Sequence, residues 1–352
     1  MKKTILISIV AGLFLFSLTG CPTPWEGSSG PTVAHLYVAN CGGNTMSAFR
    51  VHSGGTVSHI SGTFTTGANP NGVAITPDGA YLYVTNSGGS TVTAFSIDSE
   101  GALSPIPGTF TAGSTPDEIV ISPNGSYVYV TNYGSDTISA FSIGSGGTLT
   151  PVSGTFATGS HPIGIAISPN GAYLYATNQY SNSISAFTIG SGGVLSPISG
   201  TFSTISIPGD IAVSPDGAYL YAANPAENSL SVFAIGSGGA LSLIPGAFAT
   251  GSGPHAIAIT PNGAYLYVSN MTSNTVSAFS IGAGGALSPI SGTFATDSWP
   301  TMMAISQDGA YLYVTNINSN TVSAFSIGSG GTLSSVGGAF KTGANPYGIA
   351  IH

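Results

Sequence analysis

Residues 78–86 read DGAYLYVTN, and the chain repeats this phrase with few changes along most of its 352 residues. The phrase ends each time in an asparagine, and these asparagines are spaced 46 residues apart: Asn40, Asn86, Asn132, Asn178, Asn224, Asn270 and Asn316. A proline keeps the same spacing, at Pro70, Pro116, Pro162, Pro208, Pro254, Pro300 and Pro346. Seven units with a fixed period of about 45 residues are typical of a propeller or of another repeat array.

Each unit contains four short runs with the composition of strands. In one unit they are GIAIS (164–168), AYLYATN (172–178), SISAFTI (183–189) and VLSPISGTF (194–202), which we name strands A, B, C and D. Their β-branched and aromatic residues, separated by Gly, Pro and Asn turns, favour strands, and no helical periodicity is present. The sequence therefore predicts an all-β, seven-bladed β-propeller with four antiparallel strands per blade. A solenoid is the alternative, but it normally has atypical capping repeats, which this chain lacks.

The repeats start and stop in the middle of a unit. Residues 31–352 span seven periods of 46 residues, beginning with a strand B at 35–40 and ending with a strand A at 348–352. We expect this C-terminal strand A to pair with the N-terminal strand B and so close the ring. Strand D is expected at the outer edge, where a proline blocks pairing with another chain: Pro105, Pro151, Pro197 and Pro289.

The N-terminus has the features of a targeting segment. Lys2 and Lys3 precede an apolar run at residues 4–16, and the sequence LTGC follows at 18–21. This run resembles the bacterial lipobox, which implies a signal peptide at 1–20, a lipidated Cys21 and a tether at 21–30. The alternatives are an ordinary secretory signal and a transmembrane anchor, for which the apolar run is shorter than the ~20 residues that span a bilayer.

The lipobox also implies a location. We expect the protein in the bacterial cell envelope, anchored to the membrane through Cys21 and facing the periplasm or the exterior. Residue 22 is Pro rather than the Asp that often retains lipoproteins at the inner membrane, so the outer membrane is favoured.

Charge excludes one class of partner. The chain has 4 Lys and Arg against 12 Asp and Glu, and beyond the signal peptide only Arg50 and Lys341 are basic. Nucleic acids require clustered cations, so we expect no nucleic-acid binding. With Cys21 lipidated, Cys41 would be the only thiol, so no intrachain disulfide is expected.

The units differ mainly in their D–A and B–C loops, which emerge on one face of a four-stranded meander. We expect this face to bind a ligand, although drift of surface loops after duplication would produce the same variation. The ligand-binding candidates are the polar and aromatic residues of the D–A loops: Asn69, Asp117, Glu118, His161, Asp210, His255, Trp299 and Tyr347.

Three of these residues are candidates for catalysis: Glu118, His161 and His255. A carboxylate and a histidine on neighbouring blades can act as general base and orienting group, but solvated loop side chains are the alternative. The same groups can hold a divalent cation, yet no spaced ligand motif supports a metal site. We therefore expect no metal and no cofactor.

The YVTN phrase and the frame SAFxIGxGGxLSPIxGTF…PxxIAIxPxGAYLYVTN resemble the seven-bladed lactonase family over residues 31–352. This resemblance implies the propeller fold and lactone hydrolysis of the 6-phosphogluconolactonase type. Family enzymes resemble one another in placing Arg, Glu and His around the channel mouth, and His255 best matches the family histidine, with His161 second. The family arginines have no counterpart, because Arg50 falls in strand C and Lys341 in strand D.

We therefore expect a binding or scaffold module whose D–A and B–C loop face takes a neutral glycan, a peptide or a partner protein. The alternative is a lactonase-type hydrolase of an uncharged lactone. The two interpretations differ in whether the histidines and carboxylates of this face converge at the channel mouth.

The lipid anchor gives a first prediction. In cells grown with a palmitate analogue, the wild-type protein should be labelled and the Cys21→Ala variant should not, because only the thiol of the lipobox accepts the acyl-glyceryl group. Cys41→Ala is the matched control and should keep full labelling. Equal labelling of the wild type and Cys21→Ala would contradict the prediction.

Overall fold

Seven antiparallel sheets form a closed ring in the computed structural model, which describes residues 31–200 and 202–352. Each sheet runs A-B-C-D from the centre outward, and the strand A of each blade contacts the strands A of its neighbours. The predicted seven-bladed propeller is therefore confirmed. The predicted signal peptide at 1–20 and the tether at 21–30, with Cys21, lie outside the described residues.

Strands A and B occupy the inner half of each blade. The blades are numbered I to VII in the order of their strands B. The strands A of blades II to VII and then I are Pro70–Ile75, Pro116–Ile121, Pro162–Ile167, Ile211–Val213, Pro254–Ile259, Pro300–Ile305 and Pro346–Ile351. The strands B of blades I to VII are Thr32–Asn40, Tyr81–Asn86, Tyr127–Asn132, Tyr173–Asn178, Tyr219–Asn224, Tyr265–Asn270 and Tyr311–Asn316.

Strands C and D occupy the outer half. The strands C of blades I to VII are Thr45–His52, Thr91–Ile97, Thr137–Ile143, Ser183–Ile189, Ser229–Ile235, Thr275–Ile281 and Thr321–Ile327. Three of the C–D turns contain a short 3₁₀ segment: Ser145–Gly147, Ser191–Gly193 and Ala283–Gly285. No helix within residues 31–200 and 202–352 is long and apolar enough to cross a membrane.

Strand D departs from the single run that the sequence predicts. In six blades it is split into two short segments: Val57–His59 with Phe64–Thr65, Leu103–Pro105 with Phe110–Thr111, Leu149–Pro151 with Phe156–Ala157, Leu195–Pro197 with Phe202–Ser203, Leu287–Pro289 with Phe294–Ala295, and Leu333–Ser335 with Phe340–Lys341. A glycine with positive φ, such as Gly108 at 141°, lies between the two segments. Blade V alone has one unbroken strand D, Leu241–Ala249.

The ring closes as the repeat register predicts. In blade I, Leu36 pairs with Ile351 and Val38 pairs with Ile349 in an antiparallel ladder. The backbone N–H groups of His35 and His352 each donate to the carbonyl of the other residue, at 2.7 and 3.0 Å. The first and last strands of the domain therefore share one blade, which leaves no open edge at the seam.

Each blade is linked to the next by one buried tyrosine. The second tyrosine of the YLYVTN phrase is fully buried in every blade, and its hydroxyl donates to a glycine carbonyl in the C–D turn of the following blade. Tyr313 of blade VII completes the circle by donating to the Gly55 carbonyl of blade I at 3.0 Å. The apolar core is likewise divided among seven clusters, each shared by two adjacent blades.

The seam tyrosine gives a second prediction. Tyr313→Phe should lower the free energy of unfolding by about 1–3 kcal/mol, because the Gly55 carbonyl loses its buried donor. Chemical denaturation followed by circular dichroism measures this change. Tyr127→Phe, which removes the hydroxyl of the partly exposed first tyrosine of the phrase, is the matched control. An equal change in the free energy of unfolding for the two substitutions would contradict the stabilising role of the interblade hydrogen bond.

Candidate functional site

A cavity of about 350 Å³ lies at the mouth of the channel, on the face of the D–A and B–C loops. The starts of the A strands and the B–C loops line it, and its titratable residues are Asp117, Glu118, Tyr133, Asp210, His255 and Tyr347. These side chains come from blades I, III, V and VI, so only the closed ring brings them together. They remain partly accessible from the cavity.

A larger cleft of about 630 Å³ lies on the opposite face, between the turns of blades III and IV. Smaller versions of it recur at other blade junctions, lined by the corresponding turn residues. Because Tyr127 is its only titratable lining residue and the cleft follows the repeat, it is a consequence of blade packing. The channel-mouth cavity is the candidate functional site.

A β-bulge at the start of strand A lets two consecutive residues face this cavity. In blade III the A–B register shifts between Pro116 and Ile119, and both intervening residues, Asp117 and Glu118, line the cavity. A regular strand would point them to opposite faces, and the extra residue of the bulge removes this alternation. The two positions after the periodic proline are therefore the positions that form the site.

Glycines at the second position after the proline, Gly72 and Gly164, make room for acidic residues of the next blade. A Cβ on Gly72 would lie 2.7 Å from the Asp117 carbonyl oxygen, and a Cβ on Gly164 would lie 2.8 Å from the Cα of Asp210. The A strands therefore approach one another so closely that a side chain is excluded beside each acidic residue. The glycines of one blade allow the backbone of the acids in the next to reach the centre.

The threonine of the YVTN phrase fixes the backbone at the first position. Thr85 Oγ1 donates to the Asp117 carbonyl at 2.6 Å, and Thr315 Oγ1 donates to the Tyr347 carbonyl at 2.7 Å. In both cases the threonine belongs to the preceding blade. A constant residue of one unit therefore holds a variable site residue of the next.

Three carboxyl groups share the cavity. Asn71 donates to Asp117 Oδ1, and Asp210 accepts from the backbone N–H groups of Ile211 at 2.7 Å and Ile257 at 3.0 Å. Burial raises the pKa of Asp117 to about 6 and that of Asp210 to about 7. Burial and the nearby charges of Asp117 and Asp210 raise the pKa of Glu118 well above its ordinary value. The cluster therefore keeps protons on some of its carboxyls near neutral pH.

His255 and Tyr347 meet on another side of the cavity. Their rings pack edge to face, with centroids 5.7 Å apart, and the Tyr347 hydroxyl lies 3.1 Å from His255 Nε2. The Nδ1 of His255 is buried and has no hydrogen-bond partner among the described residues. Burial lowers the pKa of His255 to about 4 and raises that of Tyr347 well above its usual range, so both are neutral near pH 7.

The sequence-predicted candidates fall into two groups. Asp117, Glu118, Asp210, His255 and Tyr347 line the cavity. Asn69, His161 and Trp299 do not line it. These three each precede the periodic proline, and they adopt a left-handed backbone with φ of 51°, 57° and 60°.

Sequence reasoning did not select several residues that line the cavity or hold its acids: Asn71, Ile163, Gly209, Pro225, Met271 and Met302. All except Pro225 and Met271 occupy the two positions after the periodic proline. This position within the repeat is the sequence feature that identifies them.

No Lys or Arg within residues 31–200 and 202–352 lines the cavity. Arg50 pairs with Glu100 at 3.3 Å on the outer part of the ring, and Lys341 is exposed on strand D of blade VII. Within residues 31–200 and 202–352, no group of three or more His, Cys, Asp and Glu side chains is arranged to hold a metal ion. The titratable groups that line the cavity are acidic or neutral, and such groups can transfer protons and form hydrogen bonds.

The buried acids give a third prediction, which concerns stability. A carboxyl whose pKa is raised in the folded state favours folding at low pH, and this stabilisation is lost as pH rises through the folded pKa. Glu118→Gln should therefore raise the free energy of unfolding relative to the wild type at about pH 8, on the order of 1–3 kcal/mol. The advantage should shrink at about pH 5, where Glu118 keeps its proton in the folded state.

Denaturation at the two pH values measures this difference. His255, with a lowered pKa, contributes an opposite trend below about pH 6.5, but it is present in both proteins and cancels. Glu227→Gln removes the same charge from an exposed B–C loop and should show no such pH dependence. A constant difference between the wild type and Glu118→Gln at both pH values would contradict the assignment.

Comparison with known proteins places the fold. Three solved structures are similar in fold to this chain, each below 25% identity. A candidate 6-phosphogluconolactonase from Bacteroides uniformis has a TM-score of 0.82 and 22% identity, covering 91% of this chain and 99% of that one. A candidate 6-phosphogluconolactonase from Bacteroides fragilis has a TM-score of 0.80 and 24% identity, covering 94% and 100%. The periplasmic gluconolactonase of Pseudomonas aeruginosa has a TM-score of 0.79 and 21% identity, covering 90% and 98%.

Sequence comparison gives the family. A search of curated proteins gave no match. The family model described as lactonase, 7-bladed beta-propeller, matches residues 30–105, 101–203, 191–281 and 239–347, which together span residues 30–347 and reach all seven blades. The resemblance carried by the YVTN phrase is thereby confirmed, and the chain belongs to the lactonase family of seven-bladed β-propellers.

Proposed function

We propose that this protein is a hydrolase that opens the ring of an uncharged lactone at the channel-mouth cavity. The observation that carries the proposal is the convergence of Asp117, Glu118, Asp210, His255 and Tyr347 on one cavity. A scaffold has no need to collect buried acids with raised pKa values, whereas proton-transfer catalysts do. Family membership supports the same choice, so the hydrolase interpretation is better supported than the binding or scaffold module.

The carboxyl pair on strand A of blade III supplies a base and an acid. Asp117, with a pKa of about 6, is mostly ionised near pH 7 and accepts a proton from water. The water oxygen bonds to the lactone carbonyl carbon, and the ring C–O bond then breaks. Glu118, whose pKa is raised by burial and by the charges of Asp117 and Asp210, passes a proton to the departing ring oxygen. Two neighbouring carboxyls whose environments push their pKa values apart suit these opposite roles.

The oxygen of the lactone carbonyl gains negative charge as water attacks. The Tyr347 hydroxyl is neutral and has one proton, which can point at this oxygen when His255 is protonated on Nε2 and donates to the hydroxyl oxygen over 3.1 Å. Donors directed at the developing oxyanion are worth several kcal/mol, on the order of 3 for a single group. We assign Tyr347 to this role and His255 to the orientation of the Tyr347 hydroxyl.

Electrostatics select an uncharged substrate. A phosphorylated lactone brings a dianion that needs Arg or Lys contacts to replace its hydration, and none of the described Lys and Arg residues lines the cavity. The ionised members of the acid cluster, Asp117 above all, repel a further negative charge. Among the structural neighbours, the Pseudomonas protein is described as a gluconolactonase, whose substrate carries no phosphate, and it is compatible with this choice.

We also propose that the enzyme acts in the bacterial cell envelope, anchored through a lipid on Cys21. The support is the lipobox-like sequence LTGC at residues 18–21 and the basic, then apolar, start of the chain. The Pseudomonas neighbour is described as periplasmic, which agrees with a location outside the cytoplasm.

The fourth prediction tests the activity. The purified protein should open glucono-δ-lactone faster than the spontaneous rate, as measured by base uptake at constant pH, and should open 6-phosphogluconolactone far less efficiently. Asp117→Asn should lower kcat by about 10²–10⁴-fold, because the general base is lost while the shape of the side chain is kept. Glu227→Gln is the control and should retain activity.

Two results would overturn the proposal. The first is ring opening of glucono-δ-lactone that is no faster with wild-type protein than with Asp117→Asn. The second is a higher kcat/KM for the phosphorylated lactone, which would show that the acid cluster does not select against charge.

A further inference from the structure

Three aromatic rings form a continuous surface at the rim of the cavity, which we name the aromatic shelf: Tyr133, His161 and Tyr180. The centroids of Tyr133 and His161 are 4.5 Å apart with the rings edge to face, and those of His161 and Tyr180 are 4.3 Å apart with the rings tilted by 39°. The shelf joins the B–C loop of blade III to both variable loops of blade IV.

Backbone hydrogen bonds hold the loops that carry the aromatic shelf. The backbone N–H of His161 donates to Asp136 Oδ1 at 2.7 Å, and its carbonyl accepts from the N–H of Gln179 at 2.9 Å. The N–H of Tyr180 donates to the Ser160 carbonyl at 3.2 Å. The first bond ties the D–A loop of blade IV to the B–C loop of blade III, and the other two tie it to the B–C loop of blade IV, so the backbone that carries the three rings is held in place.

The shelf begins inside the cavity and ends in solvent. Tyr133 and Gln179 both line the cavity, and the Tyr133 hydroxyl donates to Gln179 Oε1 at 3.3 Å. At the other end Tyr180 is 64% exposed, the largest exposure among the large hydrophobic and aromatic residues of the described chain. A path of aromatic surface therefore leads from the acid cluster outward across blade IV.

The shelf breaks the sevenfold repeat. The two positions after the phrase asparagine carry Tyr133 and Gly134 in blade III and Gln179 and Tyr180 in blade IV. The other blades have the pairs Cys41–Gly42, Ser87–Gly88, Pro225–Ala226, Met271–Thr272 and Ile317–Asn318 there, with no aromatic residue. The frame of the propeller does not require aromatic rings at these positions, because five blades close without them.

We propose that the aromatic shelf is a subsite for a second, neutral sugar ring joined to the lactone, so that the substrate is the lactone of a disaccharide or longer glycan. The inference rests on the lactone hydrolysis proposed above. The cavity of about 350 Å³ is near the lower end of the range of about 300–1,000 Å³ for small-molecule sites. The cavity holds the lactone ring that reacts, and the rest of a longer substrate must extend out of the cavity across its rim.

The chemistry of the shelf fits such a ring. An aromatic side chain with an exposed face and a polar tip binds surfaces that are apolar in one direction and polar in another. A pyranose has this character, since its C–H groups form a flat apolar face and its hydroxyls point outward. In the part of the chain that the structure describes, no Lys or Arg lines the cavity that adjoins the shelf, so an anionic group has no basic partner among these residues.

The fifth prediction compares two uncharged substrates, glucono-δ-lactone and cellobiono-δ-lactone, in the same ring-opening assay. The wild-type protein should have a kcat/KM about fivefold or more higher for the disaccharide lactone. Tyr180→Ala should lower that kcat/KM by about five- to tenfold, mainly through KM, since stacking binds ground state and transition state alike. The value for glucono-δ-lactone should not change.

Matched variants separate stacking from other effects. Tyr180→Phe keeps the ring and should retain most of the preference for the disaccharide lactone. Val194→Ala removes an exposed apolar side chain from a C–D turn on the opposite face and should leave both substrates unaffected. An equal kcat/KM for the two lactones, together with no effect of Tyr180→Ala, overturns the subsite and leaves the proposed hydrolysis standing.

A binding measurement separates failure of the subsite from failure of the proposed function. Cellobiitol, which is neutral and has no lactone, should bind the wild-type protein in a calorimetric titration and bind Tyr180→Ala about fivefold or more weakly. Binding that depends on Tyr180 without turnover of either lactone would keep the sugar subsite and reject the hydrolase. Equal binding to both proteins, or none, rejects the subsite whatever the lactone assays give.

Discussion

The hydrogen bond from a buried tyrosine to the next blade is the interaction on which the rest of the structure depends. It recurs at all seven junctions, and at the seam it joins Tyr313 to Gly55. Two features of the turn require a glycine at the position whose carbonyl accepts this hydrogen bond. Gly147 has a φ of 76°, and a Cβ there would come 2.4 Å from the Tyr81 ring. The first tyrosine of the phrase therefore packs on the turn of the next blade, and the second tyrosine donates a hydrogen bond to that turn. These two contacts together set the angle between the blades.

Regular junctions allow an irregular centre. Because the B, C and D strands and the interblade bonds fix each blade, the start of strand A does not have to carry the same residues in every unit. The threonine of one blade holds the backbone of the next at this point, as Thr85 does for Asp117, but it leaves the side chain free to vary. The site is thus built from the variable positions of an otherwise repeated frame.

The irregular centre concentrates groups that are costly to bury. Three carboxyls, a half-buried tyrosine and a neutral histidine whose Nδ1 has no hydrogen-bond partner among the described residues surround one cavity. Carboxyls in this position destabilise the fold near neutral pH, and a ring closed by many equivalent contacts tolerates that cost. The aromatic shelf also departs from the sevenfold repeat. It lies on the side of the cavity formed by the loops that are closest in sequence to Asp117 and Glu118. Both departures fall on one face, and the opposite face keeps its repeated turns.

The sequence by itself determined the architecture. The 46-residue spacing of the phrase gave seven blades, and the incomplete first and last units gave the seam between Leu36 and Ile351, because a fixed period constrains every junction alike. It also indicated the variable face. Only the tertiary structure decided which variable residues meet. Asn69, His161 and Trp299 look equivalent to Asp117 and His255 in the sequence, yet they precede the proline and stand outside the cavity. The physical reason is the bulge after that proline: it turns the next two residues toward the channel, and ring closure then brings residues as distant in sequence as Asp117 and Tyr347 into one site.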